Sequence, residues 1–181
     1  MAGPVMPGYQ QRWGTMPVIS VDTGRRRGWV LPATLFVAFV LHALPVNDPL
    51  QGFVPDWVSL VLIYWSLALP GRMSVGTAWA VGLLLDLVSF GLLGSYALTK
   101  AVLVYFSRRA ALQVRTYPLW QQAVVVLVLL AVEMLLLVVI EFAVEQSLHG
   151  LERWTAAVVG ALLWPITYLL LRRCRLWAQL S

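Results

Sequence analysis

Four ionisable residues lie where the surrounding chain is almost entirely apolar, and any chemistry this protein performs starts with them. Asp86 and Lys100 fall within the stretch GLLLDLVSFGLLGSYALTK, and Glu133 and Glu141 within LWQQAVVVLVLLAVEMLLLVVIEF. Carboxylates and amines in apolar surroundings can relay protons, hold a polar ligand, dock a partner helix or pin two helices together. If the turn after Asp86 centres on Leu92 and Leu93, Asp86 and Lys100 sit at matching depth on antiparallel helices, which predicts an ion pair. One charge at mid-membrane costs about 2.5–3.5 kcal/mol on insertion scales. Opposite charges about 4 Å apart attract by about 4 kcal/mol at an effective dielectric near 20. Pairing is therefore reasonable, and a structural pin is preferred to a relay. Glu133 and Glu141 share one broad helical face. Glu141 is expected near the outer end, within reach of water. Glu133 sits deeper and should face protein, with Lys100 as a rival partner.

Catalysis has little else to draw on. His42 and His149 lie far apart without a carboxylate at zinc-ligand spacing, and the chain has no HExxH, Gly-rich phosphate loop or GxSxG elbow. Ser89 or Ser95 with Lys100 is the one hydrolytic constellation, a Ser–Lys dyad. Such serines in small membrane proteins are far more often packing residues. We assign no catalytic, cofactor-binding or metal-ligating residue from the sequence, and expect no cofactor. Cys174, the only cysteine, leaves no disulfide framework.

The elements that must position these groups follow from composition. Of 181 residues, 60% are hydrophobic and 12% charged, with a mean hydropathy of +0.80. Soluble domains carry about 25% charged residues, so an all-α, multi-pass membrane protein is predicted. Residues 1–24 read as a flexible tail. Apolar runs then predict six spans in a single domain over 25–175: about 29–45, 54–69, 74–90, 95–106, 119–144 and 154–171, with a short tail at 176–181. The fourth is the weak one, about 18 Å long at 1.5 Å per residue against a core of about 30 Å. A start at Leu92 with Arg108 and Arg109 snorkelling would lengthen it, and a five-span reading, which breaks the charge asymmetry, ranks second. Arginines decide the orientation. Six spans place Arg12, Arg25, Arg26, Arg27, Arg72, Arg108, Arg109, Arg115, Arg172, Arg173 and Arg175 on one side, and Arg153 alone on the other, which predicts N-in and C-in. The net charge of +5 thus reads as topology, and nucleic acid is not expected as a partner. Gly76 and Gly82 would let helices approach closely, and Gly91 and Gly94 flank the turn after Asp86. Trp57, Trp120 and Trp154 fall at span ends as interfacial anchors, and Pro165 is expected to kink the sixth span.

Three segments together resemble the MreD family of bacterial rod-shape proteins, in the style of Gram-negative members. They are PDWVSLVLIYWSLALPGRMSVGTAWAVGLLLDLVSFGLLG (55–94), LWQQAVVVLVLLAVEMLLLVVIEF (119–142) and LLWPITYLLLRR (162–173). The resemblance spans about three-quarters of the chain, and it rests on the motifs in combination. It implies a non-enzymatic inner-membrane scaffold of the elongasome, with a six-helix bundle like the S-components of ECF transporters. Implied partners are MreC, then RodA and its class B penicillin-binding transpeptidase directly or through MreC, with MreB filaments indirectly. The lipid bilayer and a second copy of the chain are further candidates. The family's intramembrane acidic positions map to Asp86, Glu133 and Glu141, whereas Lys100 is not part of the family pattern. The S-component likeness keeps a transporter-like small-molecule binder as the rival function, and an intramembrane hydrolase stands third.

Overall fold

A computed structural model describes residues 28–44, 54–89, 92–145 and 154–178. These form six helices and no strand: α1 (Val30–Ala43), α2 (Trp57–Ala68), α3 (Val75–Ser89), α4 (Ser95–Val114), α5 (Leu119–Glu145) and α6 (Trp154–Trp177). The all-α expectation and the order of the apolar segments hold. Gly91, the tail at 1–24 and Arg153 lie outside the described residues.

The shortest helix is the centre of the bundle. α2 has 12 residues, and every position from Val58 to Leu67 is buried. A helix apolar all round must be surrounded by protein or lipid; here α1, α4 and α6 pack around α2, and α5 packs against α4 and α6. α1 is tied to α2 by the Trp65 indole N–H, which donates to Thr34 Oγ1 at 2.9 Å.

Both ends of α2 are capped by charge. Its N-cap is Asp56, whose Oδ1 accepts from the backbone N–H groups of Val58 and Ser59 at 3.0 and 3.1 Å, satisfying donors that the first turn leaves unpaired. At the other end Arg115 donates through Nε to Leu67 O at 2.5 Å and through Nη2 to Ala68 O at 2.7 Å. α3 opens on a reciprocal cap: Ser74 Oγ accepts from Thr77 N and Thr77 Oγ1 from Ser74 N, each at 3.1 Å.

Two expectations about length change. The fourth helix does not stop at Phe106; it runs 20 residues through Arg108 and Arg109 to Val114, about 30 Å at 1.5 Å per residue. Exposed arginines cost a helix nothing, because their heads stay in water while the stems cover the surface. The sixth helix, which contains Pro165 as expected, likewise runs past Leu171 to Trp177. α5 and α6 are each long and apolar enough to cross a membrane, whereas α1, α2 and α3 are apolar but shorter.

The glycines separate into different roles. A Cβ on Gly82 would lie 2.4 Å from Tyr96 O and 2.5 Å from Ala97 Cα, so α3 touches the backbone of α4 at this point. Gly76 makes no such approach, since a Cβ there would meet only Ser74 Oγ at 3.7 Å. Gly94 serves conformation instead, with φ +99° and no neighbour within 4 Å of a built Cβ.

Candidate functional site

Lys100 is fully buried, and its ammonium meets three acceptors from two other helices. Nζ donates to Asp56 Oδ2, to Ser59 Oγ at 2.6 Å and to Glu133 Oε1 at 2.6 Å. Three donors on three acceptors exhaust its hydrogen-bonding capacity. Ser59 completes the cluster, since its hydroxyl lies 2.7 Å from Glu133 Oε2 and 3.1 Å from Asp56 Oδ2. Asp56 divides its labour: one oxygen caps α2, the other takes the ammonium. At the margin His42 Nδ1 lies 3.8 Å from Asp56 Oδ1, the His42 ring stands edge-on to Tyr96 at 6.3 Å, and Lys100 Nζ sits 5.6 Å from the Tyr96 ring centroid. The cluster therefore joins α1, α2, α4 and α5 where α1 ends and α2 begins, near the middle of α5.

The predicted Asp86–Lys100 pair is not the arrangement found. Asp86 is 1% exposed, and its carboxylate faces the first turn of α4. It accepts from Gly94 N at 3.0 Å, Ser95 Oγ at 3.1 Å, Tyr96 N at 2.9 Å and Ala97 N at 3.1 Å. Gly94, the N-cap residue of α4, has no side chain to satisfy these donors, so α3 supplies the cap across the hairpin. A carboxylate at a helix N-terminus also meets the positive end of its dipole. Asp86 is thus matched in depth with Ala97 rather than with Lys100, which points from α4 toward α2 and α5. Replacing Asp86 with alanine would leave the Tyr96 and Ala97 N–H groups buried without an acceptor. We expect a loss of about 2 kcal/mol or more, read by equilibrium unfolding in SDS. A change below about 0.5 kcal/mol would remove the capping account.

Glu133, 4% exposed, is the partner that sequence depth left as the rival. Glu141 is half-buried two turns further along α5. Asp56 was missed, because it stands at the outer end of the second span, where an acid within reach of water asks for no partner. The available signal was local: Asp56 followed three residues later by Ser59 at the head of an apolar run is an N-cap pattern. Of the anchor tryptophans, Trp120 is exposed, Trp154 borders on exposed, and Trp57 is partly buried against the core.

Chemically the cluster is closed. A Ser–Lys dyad is present in distance, between Ser59 and Lys100 rather than with Ser89 or Ser95. Two carboxylates hold Lys100 as an ammonium, which has no lone pair to take the serine proton, and Ser59 is itself fully buried. Among the described residues no group of three His, Cys, Asp or Glu side chains could hold a metal ion. What the arrangement does is fix the rotation of four helices around one internal salt link.

The fold and this site define a class: a small helical membrane protein whose polar residues are spent on its own interior. The chain belongs to the MreD family, since the model for rod shape-determining protein MreD matches residues 25–174. It is 33% identical over 148 residues to the rod shape-determining protein MreD of Haemophilus influenzae, covering 81% of this chain and 91% of that one. No solved structure matches the chain.

Proposed function

We propose that this chain is a non-enzymatic scaffold of rod-shape determination, a six-span protein of the bacterial inner membrane with both termini in the cytoplasm. Its fold on this reading is an S-component-like bundle, and its partners are MreC and, directly or through it, the peptidoglycan synthase pair. Family membership supports the role. The observation that carries the scaffold mechanism is the division between inside and outside. The interior charges are bound by partners within the bundle, while the outer face of α5 is a continuous apolar seam. Val124, Val128, Val132, Leu135, Val139 and Phe142 are all on that seam, between 37% and 56% exposed. Their spacing of three and four residues matches the repeat by which one helix packs along another. The short helices are no obstacle to six spans. α2 is shielded by protein, so its length need not match the hydrocarbon thickness.

The seam is the surface on which a single-span partner would pack, and this can be tested separately from folding. Val128→Trp with Leu135→Trp should reduce co-isolation of MreC from native membranes at least fivefold while the melting temperature stays within a few degrees. The same pair of changes on α6, at the exposed Leu162 and Ile166, should leave co-isolation unchanged. Equal loss from both faces, or from neither, would reject the seam. Failure of the wild-type chain to co-isolate with MreC or either synthase component would reject the scaffold itself.

A further inference from the structure

The end of the bundle away from the Lys100 cluster contains a cavity of about 180 Å³, formed where α2, α4 and α6 end and α5 begins. Arg115, Arg172 and Arg175 line it, and no carboxylate does. Arg115 is held in place by the α2 carbonyls, and Arg175 lies beside the Tyr64 hydroxyl. Three cations gathered on one cavity without an acid repel one another, and an anion offsets that repulsion.

Two buried side chains on the same wall point to a ligand independently of the arginines. Trp164 is fully buried and Gln122 is 5% exposed, yet the Trp164 indole N–H and Gln122 Oε1 have no hydrogen-bond partner among the described residues. Buried polar atoms in folded proteins nearly always find one. The Gln122 amide is oriented by its own bond, since Nε2 donates to Tyr117 O at 3.0 Å, so turning it over would oppose two oxygens. The cavity therefore presents fixed positive charge, one deep donor and one acceptor.

We propose that this cavity binds a phosphate ester that carries a hydroxyl group, the chemistry of a phosphatidylglycerol headgroup. The arginines face the phosphoryl charge, the Trp164 N–H donates to an ester or phosphoryl oxygen, and Gln122 Oε1 accepts from a hydroxyl. A zwitterionic headgroup fits less well, because its ammonium would meet three arginines and no carboxylate. That the bound leaflet is the cytoplasmic one rests on the topology proposed above; the chemistry of the site does not.

The test uses the purified full-length chain in neutral detergent, stripped of lipid, with binding read by native mass spectrometry and by melting temperature. Phosphatidylglycerol should bind and raise the melting temperature by several degrees, and phosphatidylcholine should not. Trp164→Phe keeps the ring but removes the donor, and should weaken phosphatidylglycerol binding about tenfold. Arg172→Gln, at the exposed mouth, should weaken it further, and it carries the test alone if the tryptophan variant fails to fold. Arg109→Gln removes the same charge from an exposed position outside the cavity and should change nothing. Glycerol 3-phosphate binding with the same sensitivity to these variants would assign the site to a soluble phosphate ester. Its failure to bind beside tight lipid binding would assign the site to the headgroup. Equal binding by wild type and both cavity variants, or equal affinity for phosphatidylcholine, would overturn the proposal. A wild-type chain that binds no lipid but co-isolates MreC tells against this site alone, and the reverse against the scaffold alone.

Discussion

Replacing Lys100 with methionine is expected to cost about 3–5 kcal/mol of stability. The substitution fills similar volume, so the loss is electrostatic. Without the ammonium, the buried Glu133 carboxylate is left facing the partly buried Asp56 with only the Ser59 hydroxyl between them. Two carboxylates that close repel, and Glu133 is cut off from water, while Asp56 is only about a quarter exposed and is held in place as the α2 N-cap. Removing the charge from the other side should hurt much less. Glu133→Gln leaves the amide oxygen to accept from Lys100, and Lys100 still has Asp56, so about 1 kcal/mol is expected. The double variant Lys100→Met/Glu133→Gln should recover much of the single lysine loss, because it removes one of the two stranded charges. Equilibrium unfolding in SDS reads all three. A Lys100→Met protein within about 1 kcal/mol of wild type would mean that the cluster is not a buried ionic link. Asp86 gives the control. Its ligands are the amides of α4 rather than Lys100, so Asp86→Asn and Lys100→Met should add, with a coupling below about 0.5 kcal/mol. A large coupling would restore the pair that depth matching predicts.

Gly82→Ala is expected to be comparably damaging, although it adds one methyl group. The new Cβ would fall 2.4 Å from Tyr96 O, 2.5 Å from Ala97 Cα and 2.7 Å from Ala97 N. These are backbone atoms, and they belong to the turn whose amides Asp86 holds. They cannot yield as a side-chain tip would; α3 and α4 must separate along their length. Forced overpacking of this kind costs about 1–3 kcal/mol in soluble cores, and the loss of the Asp86 hydrogen bonds as the helices part adds to it. A total near 4 kcal/mol, seen as loss of folded protein on expression or early unfolding in SDS, is the expected result. Gly76→Ala, on the same helix, should be neutral or slightly stabilising, since alanine is the better helix former by about 1 kcal/mol and nothing is in its way. Similar behaviour from the two variants would contradict the close approach at Gly82.

Much of this protein is legible in one dimension. Continuous apolar runs broken by PGR, FGLLG and arginine pairs mark the helical segments, because a chain this poor in charge can satisfy its backbone in lipid only as helices. The fourth helix was misjudged for a definite reason. Hydropathy ends at Phe106, but hydrogen bonding continues to Val114 along a segment whose arginines sit on the exposed side. The buried ionisable residues Asp86, Lys100 and Glu133 were also visible, since charge in an apolar run needs a partner.

Which partner each one takes was not visible, and that depends on the rotation of each helix as well as on depth. Successive helical residues turn by about 100° and rise about 1.5 Å. The three residues from Ala97 to Lys100 therefore carry the side chain about 4.5 Å along α4 and about 60° around it, away from α3 and toward α2 and α5. Counting from a turn fixes only the depth. Only the packed bundle determines that Asp86 looks across the hairpin at bare amides while Lys100 looks toward α2 and α5. Asp56 shows the same limit from the other direction, since its place beside Lys100 requires α2 to begin inside the bundle, 44 residues away in sequence. The arginine-lined cavity, assembled from four helix ends, is likewise a product of packing. The sequence by itself determined that this is a helical membrane protein with buried charge to neutralise. The tertiary structure decided the pairings, because they depend on how each helix is turned about its own axis, and that is set by all its neighbours at once.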